Sequence, residues 1–263
     1  MTKVVNGYSF TEVIGEGSSG QVYKVIHLPT GNTWAIKEIS KSGDIKEEDV
    51  VKEILAMKEA NSPFVVQFRE CFQDQHNLYI VMELCEHGTL ERELINASQQ
   101  QHEFLEETLW LFAKELSQGL CDLKAKRIIH RDIKPANIYI TADNHLRLGD
   151  MGYSRQLAHT LDMTVSPLGT PFYAAPEILN FKGYSFPCDV WSLGVTLYQL
   201  ATQELPFESN NKTALFNMIK TQPPRPIRRS LSQDFCDLVM AMLEKNPQNR
   251  ITIEEVNHRA SLH

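Results

Sequence analysis

Three glycines, Gly15, Gly17 and Gly20, stand in the pattern G-x-G-x-x-G-x-V, and the chain runs straight on into Val22-Tyr23-Lys24-Val25-Ile26. Glycine lets a backbone turn tightly and approach phosphate oxygens with no Cβ in the way. A dinucleotide-binding fold uses the same spacing, but there the last glycine opens a helix. Here the residues after Gly20 are β-branched and aromatic and read as a strand. The dinucleotide reading fails, and a strand-turn-strand flap over phosphates is predicted. Alone the pattern is weak, because glycine-rich turns also arise incidentally.

The surrounding sequence has a matching texture. Tyr8 to Ile14, Gln21 to Leu28 and Asn32 to Ile39 read as strands, the last two separated by the turn Pro29-Thr30-Gly31-Asn32. A helical stretch, Asp44 to Ala60, carries an apolar stripe of Val50, Val51, Ile54, Leu55 and Met57. Strands Val65 to Phe72 and Leu78 to Leu84 follow, joined by a polar turn. After Glu86-His87-Gly88 the pattern turns helical, over Glu107 to Lys126, Cys188 to Thr202, Lys212 to Thr221 and Ser232 to Glu244. A strand-rich half, a short joint and a helix-rich half leave a cleft at the joint, a common place for a ligand.

Bulk properties exclude several classes. At 263 residues with 42% hydrophobic and 22% charged residues, the chain has the makings of a globular core, not of a disordered or coiled-coil protein. A net charge of -7 argues against nucleic acid or an anionic membrane as the main partner. The five cysteines are scattered without zinc spacing, as in a reducing compartment. The N-terminus lacks the apolar region of a signal peptide. The most apolar helix, Val190 to Ala201, falls short of the ~20 residues of a membrane span and reads as a buried axis.

Chemistry concentrates at four places. In Trp34-Ala35-Ile36-Lys37 a lysine ends an apolar strand. A lone lysine there is ordinarily a surface residue; as a phosphate ligand it needs a carboxylate to position it. Glu47, Glu48, Glu53 and Glu59 are the candidates, and Glu53 is favoured because it shares the inward apolar stripe. The loop His130-Arg131-Asp132-Ile133-Lys134-Pro135-Ala136-Asn137 assembles a carboxylate that can accept a hydroxyl proton, an ammonium that can offset phosphoryl charge, and an amide oxygen that can bind a metal. Asp150, in Gly149-Asp150-Met151-Gly152, is often just a turn residue, but paired with Asn137 it offers a second hard oxygen for Mg2+. Gly169-Thr170-Pro171-Phe172-Tyr173-Ala174-Ala175-Pro176-Glu177 closes the segment that Asp150 begins.

In this order, with Asp189-Val190-Trp191-Ser192-Leu193-Gly194 and a late Arg250, the motifs resemble a eukaryotic protein kinase domain from Tyr8 to about Ala260. The resemblance implies an α+β, bilobal kinase fold, a β-rich N-lobe with one main helix and a mainly helical C-lobe. The chain is expected to be one domain, residues 1–85 forming the N-lobe and hinge and 86–263 the C-lobe. It also implies roles. Lys37 holds the α- and β-phosphates of ATP and pairs with Glu53; Asp132 is the catalytic base; Lys134 steadies the γ-phosphate; Asn137 and Asp150 bind Mg2+. The nucleotide is framed by Ile14, Gly15, Gly17, Gly20, Val22, Ala35 and Tyr139, with Met82 as gatekeeper and the Glu83 to Cys85 backbone as hinge. His130 and Asp189 support the loop, and Glu177 pairs with Arg250.

Finer expectations follow from the same resemblance. Lys134 and the Gly169 to Tyr173 string are similar to serine/threonine kinases, and Ile80 to Gly88, Ile129 to Ile140 and Leu148 to Asp150 resemble the NIMA-related kinases, linked to the cell cycle or cytoskeleton. Ser166, followed by Pro167, is the expected activation-loop phosphorylation site, with Thr164 and then Thr160 behind it and Arg131 as charge partner. Ala136 argues against a strong arginine requirement in the substrate, and Tyr153 favours serine over threonine. Partners expected are protein substrates with Ser/Thr acceptors and an upstream kinase, with neither nucleic acid nor membrane; the domain is read as a monomer, intracellular and cytoplasmic, with cytoskeletal or nuclear association. Any C-terminal coiled coil or targeting tail is absent or lies outside this sequence. Two departures stand out: Met151 where phenylalanine or leucine is usual, expected to fill the stack with His130, Met57 and Phe68 while shifting the balance of the segment, and Trp34 in place of a smaller residue. The rival is a pseudokinase scaffold that binds nucleotide or partners; it predicts loss of Lys37, Asp132, Asn137 or Asp150, and all four are present. A ligase or dehydrogenase would need a helix after Gly20.

Overall fold

A computed structural model describes residues 3–17, 20–42, 47–151, 155–156, 172–180 and 183–263. The N-terminal half is a six-stranded antiparallel sheet in the order β1-β2-β3-β4-β6-β5. Its strands are β1 (Val4–Val5), β2 (Tyr8–Gly17), β3 (Gly20–His27), β4 (Thr33–Ser40), β5 (Phe68–Gln73) and β6 (Asn77–Met82). The helix α1 (Glu47–Ala60) lies between β4 and β5; the first residues of the predicted helix, 44–46, lie outside the described residues.

Registry decides what each face carries. Val22 pairs with Lys37 and Lys37 with Ile80, while Ala35 pairs with Met82. Directly opposed residues share a face and alternate residues return to it, so Val22, Ala35, Lys37, Ile80 and Met82 line one side. The other side carries a separate cluster of Tyr8, Phe10, Val25, Ile36, Tyr79 and Val81. Trp34 packs against that cluster and the Arg69 guanidinium lies 4.3 Å from its ring centre, which accounts for the large residue there.

The C-terminal half contains α2 (Leu90–Gln99), α3 (Glu106–Ala125), α4 (Pro176–Leu179), α5 (Phe186–Thr202), α6 (Lys212–Thr221), α7 (Gln233–Met242) and α8 (Ile253–Ala260). Short strands β7 (Gly88–Thr89), β9 (Ile138–Ile140) and β10 (Leu146–Leu148) form a three-stranded sheet in the order β10-β9-β7. β8 (Ile128–Ile129) pairs with β11 (Arg155–Gln156). The expected burial of α5 holds, with Val190, Trp191, Leu193, Val195 and Leu197 all inside. A β-rich lobe with one helix, joined to a helical lobe, is the α+β bilobal kinase fold. Among the described residues no helix is long and apolar enough to cross a membrane, and the five cysteines are free.

Three local expectations are corrected. Val51 and Leu55 are 45% and 50% exposed, so the inward stripe of α1 is narrower than drawn, running through Val50, Glu53 and Met57. The strand expected from Val65 starts at Phe68, because Val65 bridges to Leu148 and Val66 N–H donates to the Leu148 carbonyl at 2.9 Å. Those residues join the other lobe's sheet instead. The helices α2, α4 and α8 are not among the expected ones: α4 has only four residues, whereas α2 and α8 bury Leu90, Leu94 and Ala97, and Ile253, Val256 and Ala260, at helical spacing, a legible period that the expected elements omit.

Candidate active site

The glycine flap closes as a hairpin in which Gly15 opposes Val22 and Gly17 opposes Gly20. Gly20 has φ of +138° and a Cβ there would fall 2.0 Å from the Glu38 carbonyl oxygen, so only glycine fits. Ser18 and Ser19 lie outside the described residues. Ile14 is 46% exposed on β2; Val22 and Ala35 sit on the sheet face described above.

Lys37 is drawn inward by that same face. Its Nζ is 2.7 Å from Glu53 Oε1 and 3.9 Å from Asp150 Oδ1. Lys37 and Glu53 are 8% and 6% exposed, so this is a desolvated pair and not a surface contact. Of the α1 glutamates weighed from the sequence, Glu53 is the one whose carboxylate lies against Lys37.

The loop after β8 is held from below. The His130 and Arg131 N–H groups donate to Asp189 Oδ2 and Oδ1, each at 2.9 Å. Burial raises the Asp189 carboxyl, opposed by His130 and the two amide donors. His130 is fully buried; its Nδ1 accepts from Asp132 N–H at 3.4 Å, which leaves Nε2 to donate to the Gly149 carbonyl at 3.0 Å. Above this base, Lys134 Nζ lies 2.8 Å from Asp132 Oδ2. Asn137 Nδ2 donates to the same Oδ2 at 2.7 Å and to the Asp132 carbonyl at 2.8 Å. The Pro135–Asn137 3-10 turn, with proline at its start, sets this spacing.

Asp150 adopts φ of +54°, a conformation aspartate tolerates better than most side chains. With its amide nitrogen spent on Asp132, Asn137 has its oxygen free to face a cation, and Asp150 adds a carboxylate. Both are hard oxygen donors of the kind Mg2+ prefers. Two protein donors leave most of the coordination sphere of such a cation to other oxygens. Met151 is 1% exposed in the cluster that includes Met57, with Phe68 packed against it, as expected of an apolar filler.

At the joint, Met82 ends β6 opposite Ala35 and Phe68. The Glu83 side chain turns away to accept from Gln67 N–H at 3.2 Å and Arg147 Nε at 3.3 Å. Burial, then the Glu83 charge, pushes the Cys85 thiol up to about 12, so it is a neutral lining group. Tyr139, centred in β9, pairs with Arg147 and Thr89. Farther off, Arg250 Nη1 and Nη2 meet Glu177 Oε1 and Oε2 at 2.7 and 2.9 Å, a buried bidentate pair.

Gly152, Tyr153, Thr160, Thr164, Ser166 and the Gly169-Thr170-Pro171 string lie outside the described residues. The sequence reading left Gln67, Arg147 and the side chain of Glu83 without a role, and no local pattern marks them. Arg131, singled out as a charge partner, has its guanidinium 4.7 Å from the Tyr184 ring centre.

The protein kinase domain family model matches residues 8–260. The chain belongs to the protein kinase domain family. Members use ATP and Mg2+ and act on protein substrates.

Proposed function

We propose that the chain is an active serine/threonine protein kinase that transfers the ATP γ-phosphate to Ser/Thr hydroxyls of proteins. The observation that carries this is the meeting of Glu53 and Asp150, one from each lobe, on the Lys37 ammonium at 2.7 and 3.9 Å. A scaffold without catalysis has no need to hold that buried charge arrangement over an intact Asp132, Lys134 and Asn137 cluster.

In this reading Lys37 holds nucleotide phosphates and Glu53 aims it. Asp132 accepts the proton of the acceptor hydroxyl as its oxygen attacks the γ-phosphorus and the bond to the β-phosphate oxygen breaks. Lys134, 2.8 Å from Asp132, offsets charge on the moving phosphoryl group. Mg2+ held by Asn137 and Asp150 would neutralise phosphate charge when bound. Ile14, Gly15, Gly17, Gly20, Val22, Ala35 and Tyr139 frame the nucleotide, with Met82 as gatekeeper and the Glu83 and Cys85 backbone as the adenine edge. Serine/threonine choice is supported by Lys134, and the NIMA-related affinity by the hinge and loop strings. Ser166 or Thr164 is the proposed phosphoacceptor for an upstream kinase, with mass spectrometry over residues 154–170 of the active enzyme as its check. A cytoplasmic location and a monomeric state are further parts of this proposal.

The test is MgATP phosphotransfer to casein by the wild type and by Asp132→Asn. Losing the base should cost roughly two to four orders of magnitude in rate. Equal rates in both would sink the mechanism. A wild type that binds MgATP and transfers nothing would establish the scaffold reading instead.

A further inference from the structure

Gly149 precedes Asp150 in a string that looks like a turn, yet it is absent from the glycines with positive φ among the described residues. Backbone freedom is therefore not why glycine stands there. Space is. A Cβ at this position would fall 2.5 Å from Tyr139 Cε2, 2.7 Å from Cδ2 and 3.0 Å from Val66 Cγ2.

The backbone cannot retreat to make room. Gly149 N–H donates to the Asn137 carbonyl at 2.9 Å, and its own carbonyl accepts from His130 Nε2 at 3.0 Å. One residue earlier, Leu148 N–H donates to the Phe64 carbonyl at 2.8 Å. These bonds also seat Asn137 and Asp150, so the group that yields to an added methyl is the Tyr139 ring. That ring stands on the face of β9 opposite the buried Ile138 and Ile140. The ring is half-buried, and its edge is the nearest group to the space beside the Gly149 α-carbon, one residue before Asp150.

We infer that Gly149 is a specificity-determining positioning residue: by carrying no side chain it lets the Tyr139 ring lie back against β10, and so sets the depth of the cleft that receives a purine base. A side chain at 149 tips the ring into the cleft. The inference rests on the proposed nucleotide site. It concerns base recognition, not phosphoryl transfer.

Its test is a mutant cycle of Gly149→Ala, Tyr139→Leu and the double variant. MgADP affinity by calorimetry, KM for ATP, kcat and melting without nucleotide are measured for each. Overpacking of this kind predicts a roughly tenfold loss of MgADP affinity and a similar rise in KM in Gly149→Ala, with kcat changed less than about threefold. The double variant, whose leucine has no ring edge at 149, should bind MgADP within about threefold of Tyr139→Leu alone. If Gly149→Ala melts out, the double variant should refold and bind. Affinity of Gly149→Ala within about twofold of wild type, or a double variant that keeps the full defect of binding or folding, overturns the inference alone. A wild type that binds no MgADP overturns the nucleotide site and this inference with it.

Discussion

Asp189 shows how much of this site hangs on one buried side chain. Its two carboxylate oxygens take the successive N–H groups of His130 and Arg131, and Arg131 is held at φ of +73°, a conformation costly for a residue with a Cβ. Asp189→Ala would strand the buried His130 amide and the half-buried Arg131 amide, and release the strained turn. Each buried amide left unpaired costs about 1–3 kcal/mol, partly offset by removal of a carboxylate that burial disfavours. Urea unfolding should therefore show a loss of roughly 2–4 kcal/mol, and phosphotransfer should fall with it. An unchanged midpoint would mean that Asp189 does not hold the loop. At this scale the sequence was highly legible. Lys37, Asp132, Asn137 and Asp150 are chemically distinctive residues in short fixed spacings. Gly149 was not legible, because a glycine needed for space and a glycine needed for a turn read alike.

Between elements, the joint is laced by side chains as well as backbone. Glu83 N–H donates to the Gln67 carbonyl at 2.9 Å, while the Glu83 carboxylate takes Gln67 N–H and Arg147 Nε. Arg147 lies on β10 in the C-lobe, so this is a tie from the hinge to both sides. The Arg147 contact is long, at 3.3 Å, and its side chains are 16% and 23% exposed. Arg147→Met leaves the largely buried Glu83 carboxylate with the Gln67 N–H alone, and should cost about 1–3 kcal/mol in global stability. It should also act locally, with faster hydrogen exchange at the Gln67 and Glu83 amides. Exchange there identical to wild type would show that the backbone alone holds the hinge. The limits of sequence reading are plain at this scale. Val65 and Val66 have every mark of a strand, but which sheet they join depends on where Leu148 lies in space. Val51 and Leu55 match the apolar period of α1, but only the placement of the sheet decides which side is covered.

Across the whole molecule, the C-lobe is closed by cations packed around Trp191. Arg250 spans to Glu177, to the Pro187 carbonyl at 2.6 Å and to the Glu244 carbonyl at 2.9 Å, joining α4 to the chain after α7. Beside it Lys245 Nζ lies 3.9 Å from the Phe207 ring centre and donates to the Ile219 carbonyl at 2.7 Å. Burial, with Arg250 adding to it and Glu244 opposing, lowers the Lys245 ammonium from 10.5 to about 8. Below pH 8 both folded and unfolded chains carry this charge, and the folded one bears its full desolvation cost. Between about 8 and 10.5 the folded form loses its proton first, so stability gained at this site rises with pH. Denaturant midpoints at pH 7.5 and 9.5 should move in favour of the wild type relative to Lys245→Met. A difference between the two proteins that does not change with pH would remove this account.

By itself the sequence determined the class of fold and the chemical inventory of the site. Alternating β-branched runs, helical periods and short motifs are local, and the physics that reads them acts over a few residues. What the tertiary structure decided was distance and surroundings: that Glu53 of α1 reaches Lys37 of β4, that Glu83 faces Arg147, and that the carbon a side chain would add at Gly149 meets Tyr139. Those depend on packing between segments far apart in the chain, where a shift of an ångström turns contact into clash. No local pattern encodes that shift.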